Sequence, residues 1–501
     1  MYFISYDLGT GGVKASIYNR ELMTLAKCFI EYPTYYPCDG WHEQRPEDWW
    51  KGICQSTHSL LEQTGIDSRE IVCVALSGHS LVTVPIDCEK NVLLDQVPIW
   101  SDSRASTQAE RFFRAIDETE WYMRTGNGFP TPCYSLFKLM WLKENHPELF
   151  SRVDKILGSK DYINFRLTGE VFTDPSYASG FGAYDLHQHQ LIPAFLDAAD
   201  IPQSIFPDIV PSHQIIGKVT AEASVQCGLA VGTPVACGGV DNACMALGAV
   251  GTVPGKVYVS LGSSSWIPVN SEQPVLDARR RPYVFAHIQE NMYTSAYSIF
   301  AGGSSLRWIR ETLCSELGKD AYAAMDQMAE QVPVGANGVF FNPSLAGGTR
   351  QDKSPNIRGA FIGMHLGTTR ADLIRAGLEG IALNLKTSLE ALSEHVAIDT
   401  ELMFCGGGSK SKIWMQMFAD VFNCNITKTN VDQDAASLGA AAICARACGL
   451  WSSYDLVPTL HKVENVYHPM AQNIVSYAAL LPKFQHICGI LSDLGDYLAE
   501  T

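Results

Sequence analysis

The chain has 501 residues, of which 46% are hydrophobic and 18% are charged. This length exceeds what one hydrophobic core usually serves, so we expect two large packed domains. The net charge of −16, without a dense run of Lys and Arg, excludes a protein that binds the backbone of nucleic acids. A nucleotide can still bind such a chain through local amides and a metal ion.

Strand-like and helix-like segments alternate along the chain, which is typical of an α/β protein. No low-complexity tract interrupts this alternation. Strands are predicted near residues 3–7, 13–18, 71–76 and 82–86, and helical patterns cover residues 104–116 and 135–146.

The first predicted hairpin, residues 3–19, contains an unusual number of glycines and one carboxylate. Its first strand ends at Asp7, and the turn that follows contains Gly9, Thr10, Gly11 and Gly12. Turn amides without side chains can bind phosphate oxygens. Ionised Asp7 would then hold Mg²⁺ directly or through water. An ordinary glycine-rich hairpin is the alternative.

A second segment repeats the pattern of this hairpin about half a chain length later. Leu261, Gly262 and Ser263 form a Leu-Gly-hydroxyl turn between two apolar strands, as Leu8, Gly9 and Thr10 do. We interpret the two segments as the start of structurally related halves, with a boundary near residues 248–256. Two unrelated hairpins would give the same pattern by chance.

Residues 233–250 predict a strand, a glycine pair and a helix of small residues, with Asp241 where the strand meets the helix. Paired glycines let a ligand approach the backbone. Asp241 is therefore a candidate general base that takes the proton from an attacking hydroxyl. The alternative is that Asp241 only caps the helix.

A three-glycine loop lies between a strand and an amphipathic helix in residues 401–423. Such a loop can lie flat against a base or ribose, and the start of a helix favours an anionic group. A tight strand-to-helix connection is the alternative. The glycine clusters lack the spacing of a P-loop or of a dinucleotide fingerprint, and protein-kinase signatures are missing.

Fifteen cysteines are scattered without C-x-x-C pairs, which is typical of reduced thiols in a cytosolic protein, with zinc ligation a weak alternative. The first residues lack the basic and apolar regions of an export signal. The longest uncharged stretch, residues 223–240, contains Gln, Thr, Pro and several Gly, which makes it a poor membrane span. We therefore expect a cytoplasmic protein with no membrane or nucleic-acid partner.

Nine segments, in order, resemble those of the FGGY carbohydrate kinases, and among these the xylulose kinases. The resemblance implies a two-domain actin-like (ribonuclease H-like) ATPase fold with duplicated βββαβα-type domains and a cleft between them. The segments are YDLGTGGVKASIY, GWHEQRPEDWW, PIWSDSRA, GSKDYINFRLTGE, GGVDNA, VSLGSSSW, GVFFNPSLAGGTR, FCGGGSKSKIWMQMFADVF and AASLGAAAICA.

The same resemblance implies that residues 1–250 bind the sugar and carry the catalytic Asp, and that residues 251–501 bind the nucleotide. The expected reaction transfers the γ-phosphoryl group of ATP, with Mg²⁺, to a small sugar, with D-xylulose as the best candidate. Another pentulose, a polyol, a sugar acid or a signalling sugar is the alternative acceptor. An actin-like nucleotide-driven binding protein is the alternative of another class. Family members are often dimers, which leaves a homodimer open.

Individual roles follow from the resemblance. Asp241 matches the catalytic base and, with Asn242, faces the sugar, while Asp7 matches the carboxylate by the metal. The positions expected to contact ATP and its phosphates are Thr10, Gly11, Gly262, Ser263, Gly302, Gly407, Gly408 and Lys412, the last at a position that is often Asn.

The segment expected to bind the sugar departs from the pattern of the xylulose kinases, which carry Gln-Met-His-Gly after the strand near residue 76. Here Leu81 replaces the motif's His, and His79 stands two places earlier. We expect His79, Ser80 and Leu81 to lie at the sugar. Asp102 is expected to bond sugar hydroxyls or to order its loop, and a helix N-cap is the alternative. Trp100 either packs against the sugar or belongs to the core.

Overall fold

The structure is a computed structural model that describes residues 1–300 and 302–500. The chain forms two compact units. The first contains Met1–Thr252, Glu272–Thr294 and Asp434–Leu460, and the second contains Val253–Ser271, Ser295–Gln433 and His461–Thr501. Two later segments therefore return to the first unit.

The first unit is a mixed sheet with helices packed on it. Its strands are β1 (Tyr2–Gly9), β2 (Gly12–Tyr18), β3 (Thr24–Glu31), β4 (Glu43–Gln44), β5 (Ile71–Gly78), β6 (Val84–Ile86), β7 (Val97–Pro98), β8 (Lys155–Leu157), β9 (Phe172–Thr173), β10 (Tyr184–Asp185), β11 (Gln190–Leu191), β12 (Asp208–Ile209), β13 (Ile215–Lys218), β14 (Pro234–Ala236) and β15 (Gly239–Val240). Its helices are α1 (Pro46–Thr64), α2 (Ser106–Phe112), α3 (Glu118–Thr125), α4 (Ser135–Asn145), α5 (Pro147–Phe150), α6 (Ser159–Thr168), α7 (Pro175–Ala178), α8 (Pro193–Ala199), α9 (Ala221–Cys227) and α10 (Asp241–Val250).

The second unit contains a similar arrangement of strands and helices. The remaining strands are β16 (Tyr258–Leu261), β17 (Ser265–Ser271), β18 (Tyr283–Ala286, in the first unit), β19 (Tyr293–Ile299), β20 (Phe340–Asn342), β21 (Ala360–Ile362), β22 (Glu401–Cys405), β23 (Asn425–Thr429) and β24 (Val463–Tyr467). The remaining helices are α11 (Gly302–Leu313), α12 (Ala321–Glu330), α13 (Arg370–Ser393), α14 (Lys412–Phe422), α15 (Ala435–Ala447, in the first unit) and α16 (Ala471–Ala499).

Both units build their sheets around the same motif. In the first, the order is β13-β14-β5-β1-β2-β3, with β1 antiparallel to β2 and parallel to β5. In the second, the strands follow the order β19-β17-β16-β22-β23-β24, with β16 antiparallel to β17 and parallel to β22. The predicted duplication is thus confirmed as a pair of hairpins that each lie beside a parallel strand.

Three parallel strands bring the chemistry of the first unit to one edge. Asp7 of β1 lies beside Ser77 of β5, and Gly239 of β15 lies on the other side of Ser77. Because the carboxyl ends of parallel strands meet at the same edge of a sheet, Asp7 and the start of α10 share that edge. Apolar side chains of β1, β5 and α1, including Tyr6, Leu76 and Trp49, are fully buried beneath it.

The predicted elements differ from the observed ones mainly at their ends. The strand predicted at residues 82–86 begins at Val84, because Leu81 has a φ of 61° and turns the chain. The helix predicted over residues 104–116 covers only Ser106–Phe112, with single turns after it. The helix predicted over residues 135–146 is observed as Ser135–Asn145.

Among the described residues, one helix, α16, is long and apolar enough by length and composition to cross a membrane. Core helices of soluble proteins pass the same test, so this is weak support for a span. The helix contains Pro482, and its Tyr477 hydroxyl donates to Glu379 and accepts from Arg375, both on α13. These bonds tie α16 to the second unit.

Close packing of α10 against α15 fixes the helix that carries Asp241. A Cβ atom on Gly439 of α15 would lie 2.0 Å from the carbonyl oxygen of Cys244, and one on Gly248 of α10 would lie 1.8 Å from that of Ala435. Neither position can accept a side chain, because its Cβ would collide with a backbone carbonyl oxygen. The two glycines therefore let the helices touch.

We expect Gly439→Ala to lower the free energy of unfolding by about 1–3 kcal/mol, because the added methyl group must push two helices apart. The matched control is Gly489→Ala in the interior of α16, where nothing lies within 4 Å of the added Cβ. That change is expected to raise stability by about 0.5–1 kcal/mol. Urea unfolding of both variants measures the difference, and equal effects would contradict the packing described.

Candidate active site

Asp7 is a carboxylate held inside the first unit. The Ser77 hydroxyl donates to its Oδ1 at 2.7 Å, and Lys14 lies opposite it on β2. Burial raises the pKa of Asp7, while Lys14 and Ser77 act in the other direction. Asp7 is thus a carboxylate whose negative charge is poorly solvated in the protein alone.

Asp241 is the first residue of α10 and not its cap. The N-cap residue is Val240, which provides no side-chain cap, and the Asn242 amide donates to Asp241 Oδ1 at 2.8 Å. Burial raises the pKa of Asp241 to about 7, and the charge of Asp7 contributes in the same direction. A group with this pKa can accept a proton at neutral pH.

These two carboxylates fit a divalent cation. Desolvation raises the pKa of both carboxyl groups and so disfavours their charged forms. A cation beside them would stabilise the charged forms. Among the residues that the structure describes, no group of three or more His, Cys, Asp or Glu side chains could hold a metal ion. Magnesium bound here would therefore keep water and phosphate oxygens as most of its ligands, as it usually does.

The turn of residues 9–12 is expected from the sequence to bind phosphate and is called the first phosphate turn here; its glycines serve different purposes. Gly11 is exposed and has nothing within 4 Å of an added Cβ, so a ligand can approach this residue. A Cβ on Gly12 would lie 2.5 Å from the carbonyl oxygen of Ile30, so this glycine is required by packing against β3. Thr10 is held by Gln44 Nε2, which donates to its carbonyl, and by Trp100 Nε1, which donates to its hydroxyl at 2.8 Å.

The second phosphate turn lies between β16 and β17. Gly262 and Ser263 are exposed, and their carbonyl oxygens accept from the amides of Gly303 and Ser304 at the start of α11. Gly302 is buried, and a Cβ added to it would lie 2.1 Å from Ser265 Oγ, so packing requires a glycine here. The turn is therefore fixed by the helix while its outer edge stays open.

The glycine loop after β22 lies next to this turn. Gly406 has a φ of 92° and donates its amide to Asp432 Oδ1 at 2.9 Å. Gly407 is exposed and open, whereas a Cβ on Gly408 would lie 2.7 Å from the Trp414 ring and 2.8 Å from Leu261 Cβ. Lys412 is the exposed first residue of α14. The second unit thus brings together the two loops that the sequence assigns to the nucleotide.

In the turn after β5, residues 79–81, one of the three side chains is accessible to solvent. His79 is 1% exposed, its Nδ1 lies 3.2 Å from the Leu8 carbonyl oxygen, and burial lowers its pKa to about 4, so the ring is neutral. Leu81 is 4% exposed and packs on Gly180, where an added Cβ would lie 2.8 Å from Leu81 Cδ2. Ser80 is partly exposed. Of the three predicted sugar contacts, Ser80 is the accessible side chain.

Asp102 is fully buried and orders its loop. Its Oδ2 accepts from the His42 amide and from Arg104 Nη2, each at 2.7 Å, and its Oδ1 accepts from Arg104 Nε at 2.9 Å. Helix α2 is capped at Ala105, so Asp102 is not its N-cap. These contacts support the loop-ordering role among those expected.

Sequence reasoning missed the residues that hold these loops from behind. Ser159 Oγ and the Tyr177 hydroxyl donate to the His79 carbonyl at 2.7 and 3.1 Å, and Arg104 stacks 3.8 Å from the centre of the Trp41 ring while it pairs with Asp102 and Glu43. Ser159 lies within the GSKDY segment, which was noted only as a resemblance. Nothing local in the sequence marks the other contacts.

Family models of the FGGY carbohydrate kinases match most of the chain, the N-terminal domain over residues 2–248 and the C-terminal domain over residues 257–448. The chain is 30% identical to the xylulose kinase of Bacillus subtilis (strain 168), over 99% of this chain and 98% of that protein. It is 27% identical to the gluconokinase of the same organism, over 100% and 98%. A crystal structure of xylulose kinase from Rhodospirillum rubrum superposes with a TM-score of 0.91 at 28% identity, over 99% and 100%.

Asp241→Asn is expected to stabilise the protein in a pH-dependent way. Because the folded-state pKa of Asp241 is raised to about 7, the native carboxyl stays protonated where the unfolded one ionises, and native stability is lost as pH rises from about 4 to about 7. The neutral amide avoids this loss. The gain in thermal midpoint should grow from pH 5.5 to about 7 and stay level above it.

The control for this measurement is Asp67→Asn on the surface, where the bond from Arg69 lowers the pKa of the carboxyl. Its contribution is already complete above pH 4, so the difference from the wild type should be constant from pH 5.5 to 8.5. A constant difference for Asp241→Asn as well would contradict the raised pKa.

Proposed function

Since the chain belongs to the FGGY family of carbohydrate kinases, we propose that it transfers the γ-phosphoryl group of ATP to a hydroxyl group of D-xylulose, giving D-xylulose 5-phosphate. Membership makes it a phosphotransferase with an alcohol group as acceptor, which confirms the predicted enzyme class. It also favours the enzyme over a nucleotide-driven binding protein. The choice of D-xylulose is supported by the xylulose kinases among the relatives.

The half-buried carboxylate of Asp241, with a pKa of about 7 at the start of α10, carries the proposal. Phosphoryl transfer depends on positioning and on electrostatic stabilisation, and it needs a group to accept the proton of the attacking hydroxyl. Asp241 accepts this proton from the sugar. Its neighbour Asn242 lies beside the same substrate, and Ser80 contacts a sugar hydroxyl from the turn after β5.

The nucleotide is proposed to bind through the open glycine loops. The amides of Gly11, Gly262 and Ser263 bind phosphate oxygens, and Gly407 lies against the adenosine, with Gly302, Gly408, Thr10 and Lys412 as supporting residues. Asp7 holds Mg²⁺, which neutralises phosphate charge when bound. ATP and a sugar are the expected small-molecule partners in the cytoplasm.

A sugar acid is the second candidate acceptor. Gluconokinases are relatives at 27% identity over the full chain, and Leu81 stands where the xylulose kinases carry the His of their sugar motif. The buried Leu81 side chain also leaves Ser80 as the accessible group of that turn. Both observations concern the acceptor and leave the phosphoryl transfer unchanged.

The acceptor is tested by measuring ADP release with D-xylulose, other pentuloses, glycerol and gluconate at equal concentrations. We expect D-xylulose to give the highest kcat/KM. If gluconate or another compound releases ADP while D-xylulose gives no more than buffer, the acceptor is wrong and the reaction class stands. Asp241→Asn is the control, because it should release no sugar-dependent ADP while it binds ATP as the wild type does.

Gly407→Ala is expected to weaken ATP binding without a change in stability, because its Cβ would project into open space beside the loop. We expect about a tenfold rise in KM for ATP if the methyl group displaces the adenosine by a fraction of an ångström. Gly408→Ala is the matched control, since its Cβ meets Trp414 and should lower the thermal midpoint. Unchanged ATP kinetics in Gly407→Ala would remove this loop from the nucleotide site.

A further inference from the structure

Lys138 is a lysine buried in the first unit, 2% exposed, between buried apolar residues of helix α4. Its Nζ donates to two backbone carbonyl oxygens, of Leu81 at 2.9 Å and of Ile99 at 2.6 Å. Burying an ammonium group is costly unless hydrogen bonds compensate for the lost water. A Leu or Met side chain would fill the same space without the desolvation penalty of an ammonium group. The presence of a charge here therefore indicates a role beyond packing.

The two carbonyls belong to separate segments of the proposed sugar site. Leu81 ends the turn of residues 79–81, and Ile99 immediately precedes Trp100. Trp100 in turn donates through its Nε1 to the hydroxyl of Thr10 in the first phosphate turn. Lys138 therefore connects the turn that presents Ser80 with the residue that contacts the phosphate turn.

The other side of the same turn is held independently. The His79 carbonyl accepts from Ser159 Oγ and from the Tyr177 hydroxyl, and the His79 amide donates to the Leu8 carbonyl at 3.0 Å. Leu81 has a φ of 61°, a left-handed conformation that is unfavourable for a non-glycine residue. The bond from Lys138 to the Leu81 carbonyl holds this conformation in place.

We propose that Lys138 is a positioning residue for the sugar, which fixes the Ser80 turn against Trp100 and so aligns the acceptor hydroxyl with the phosphate turn. The inference rests on the proposed function, in which Ser80 contacts the sugar and Thr10 and Gly11 lie at the phosphates. It adds a residue that touches neither substrate but sets the distance between them.

The charge on Lys138 is sensitive to pH near the working range. Burial lowers its pKa to about 8, although Cys133 and Asp102 favour the charged form. Below that pH the ammonium makes charge-assisted bonds to both carbonyls, and above it a neutral amine makes weaker ones. The groups that face Lys138 are His79, Asp102, Arg104 and Cys133, and Glu43 and His146 line the same cavity of about 120 Å³.

The first test is Lys138→Met, which keeps the length and apolar stem of the side chain. We expect KM for D-xylulose, or for the acceptor that the ADP assay selects, to rise about tenfold with a fall in kcat, because the turn and the phosphate site lose their alignment. KM for ATP should stay within about twofold, since the nucleotide loops of the second unit are unchanged.

Lys155→Met is the matched control, because Lys155 Nζ also donates to two carbonyls, of Ser204 at 2.7 Å and of Phe206 at 3.2 Å, without contact to the turn. It should lower the thermal midpoint and leave both KM values unchanged. Equal changes in sugar KM for the two variants, or none in Lys138→Met, would overturn the proposal. Absence of turnover with every acceptor in the wild type would instead refute the proposed function.

Sugar affinity of the wild type as a function of pH decides the question if Lys138→Met does not fold. Calorimetric titration with the same sugar should show a several-fold loss of affinity between pH 8 and 10, where Asp241 is already ionised. Lys155→Met should show the same profile. Affinity that is constant over this range would overturn the role assigned to Lys138.

Discussion

The parallel alignment of β1, β5 and β15 is the constraint on which the rest of the site depends. It places Asp7 beside Ser77 and starts α10 at the same edge, so that two half-buried carboxylates lie at that edge. Desolvation raises the pKa of Asp241 to about 7, and the charge of Asp7 acts in the same direction. The proposed base and the proposed cation site therefore lie at one edge because of the sheet topology, and α10 packs closely against α15.

The fold could be predicted, and the two candidate carboxylates could be proposed, because both leave local signals in the sequence. Alternating apolar strands, glycine pairs and an Asp at a strand-to-helix junction all occur within short stretches around Asp7 and Asp241. The contacts of Lys138, Ser159 and Tyr177 could not be predicted, because each joins a side chain to a backbone carbonyl far away in the sequence. The end of α2 at Phe112 could not be predicted either, because the residues after it continue the helical pattern of apolar residues.

Glycine explains why sequence alone leaves the roles within a loop open. Gly11 and Gly407 are exposed with free space around them, which suits contact with a ligand. Their neighbours Gly12 and Gly408 are required because a side chain would collide with β3 or with Trp414. Both reasons produce the same letter in the sequence, and only the surrounding atoms distinguish an open amide from a packing requirement.

The return of residues 434–460 to the first unit has a consequence for how the protein is made. Helix α15 packs on β1 and β5, and Asp434 pairs with Lys14 and Lys27, so the earliest strands meet their covering helix more than 400 positions later. During synthesis on the ribosome, that face of the sheet stays without its native cover until most of the chain has emerged. Native packing of that face is therefore delayed until α15 has been synthesised.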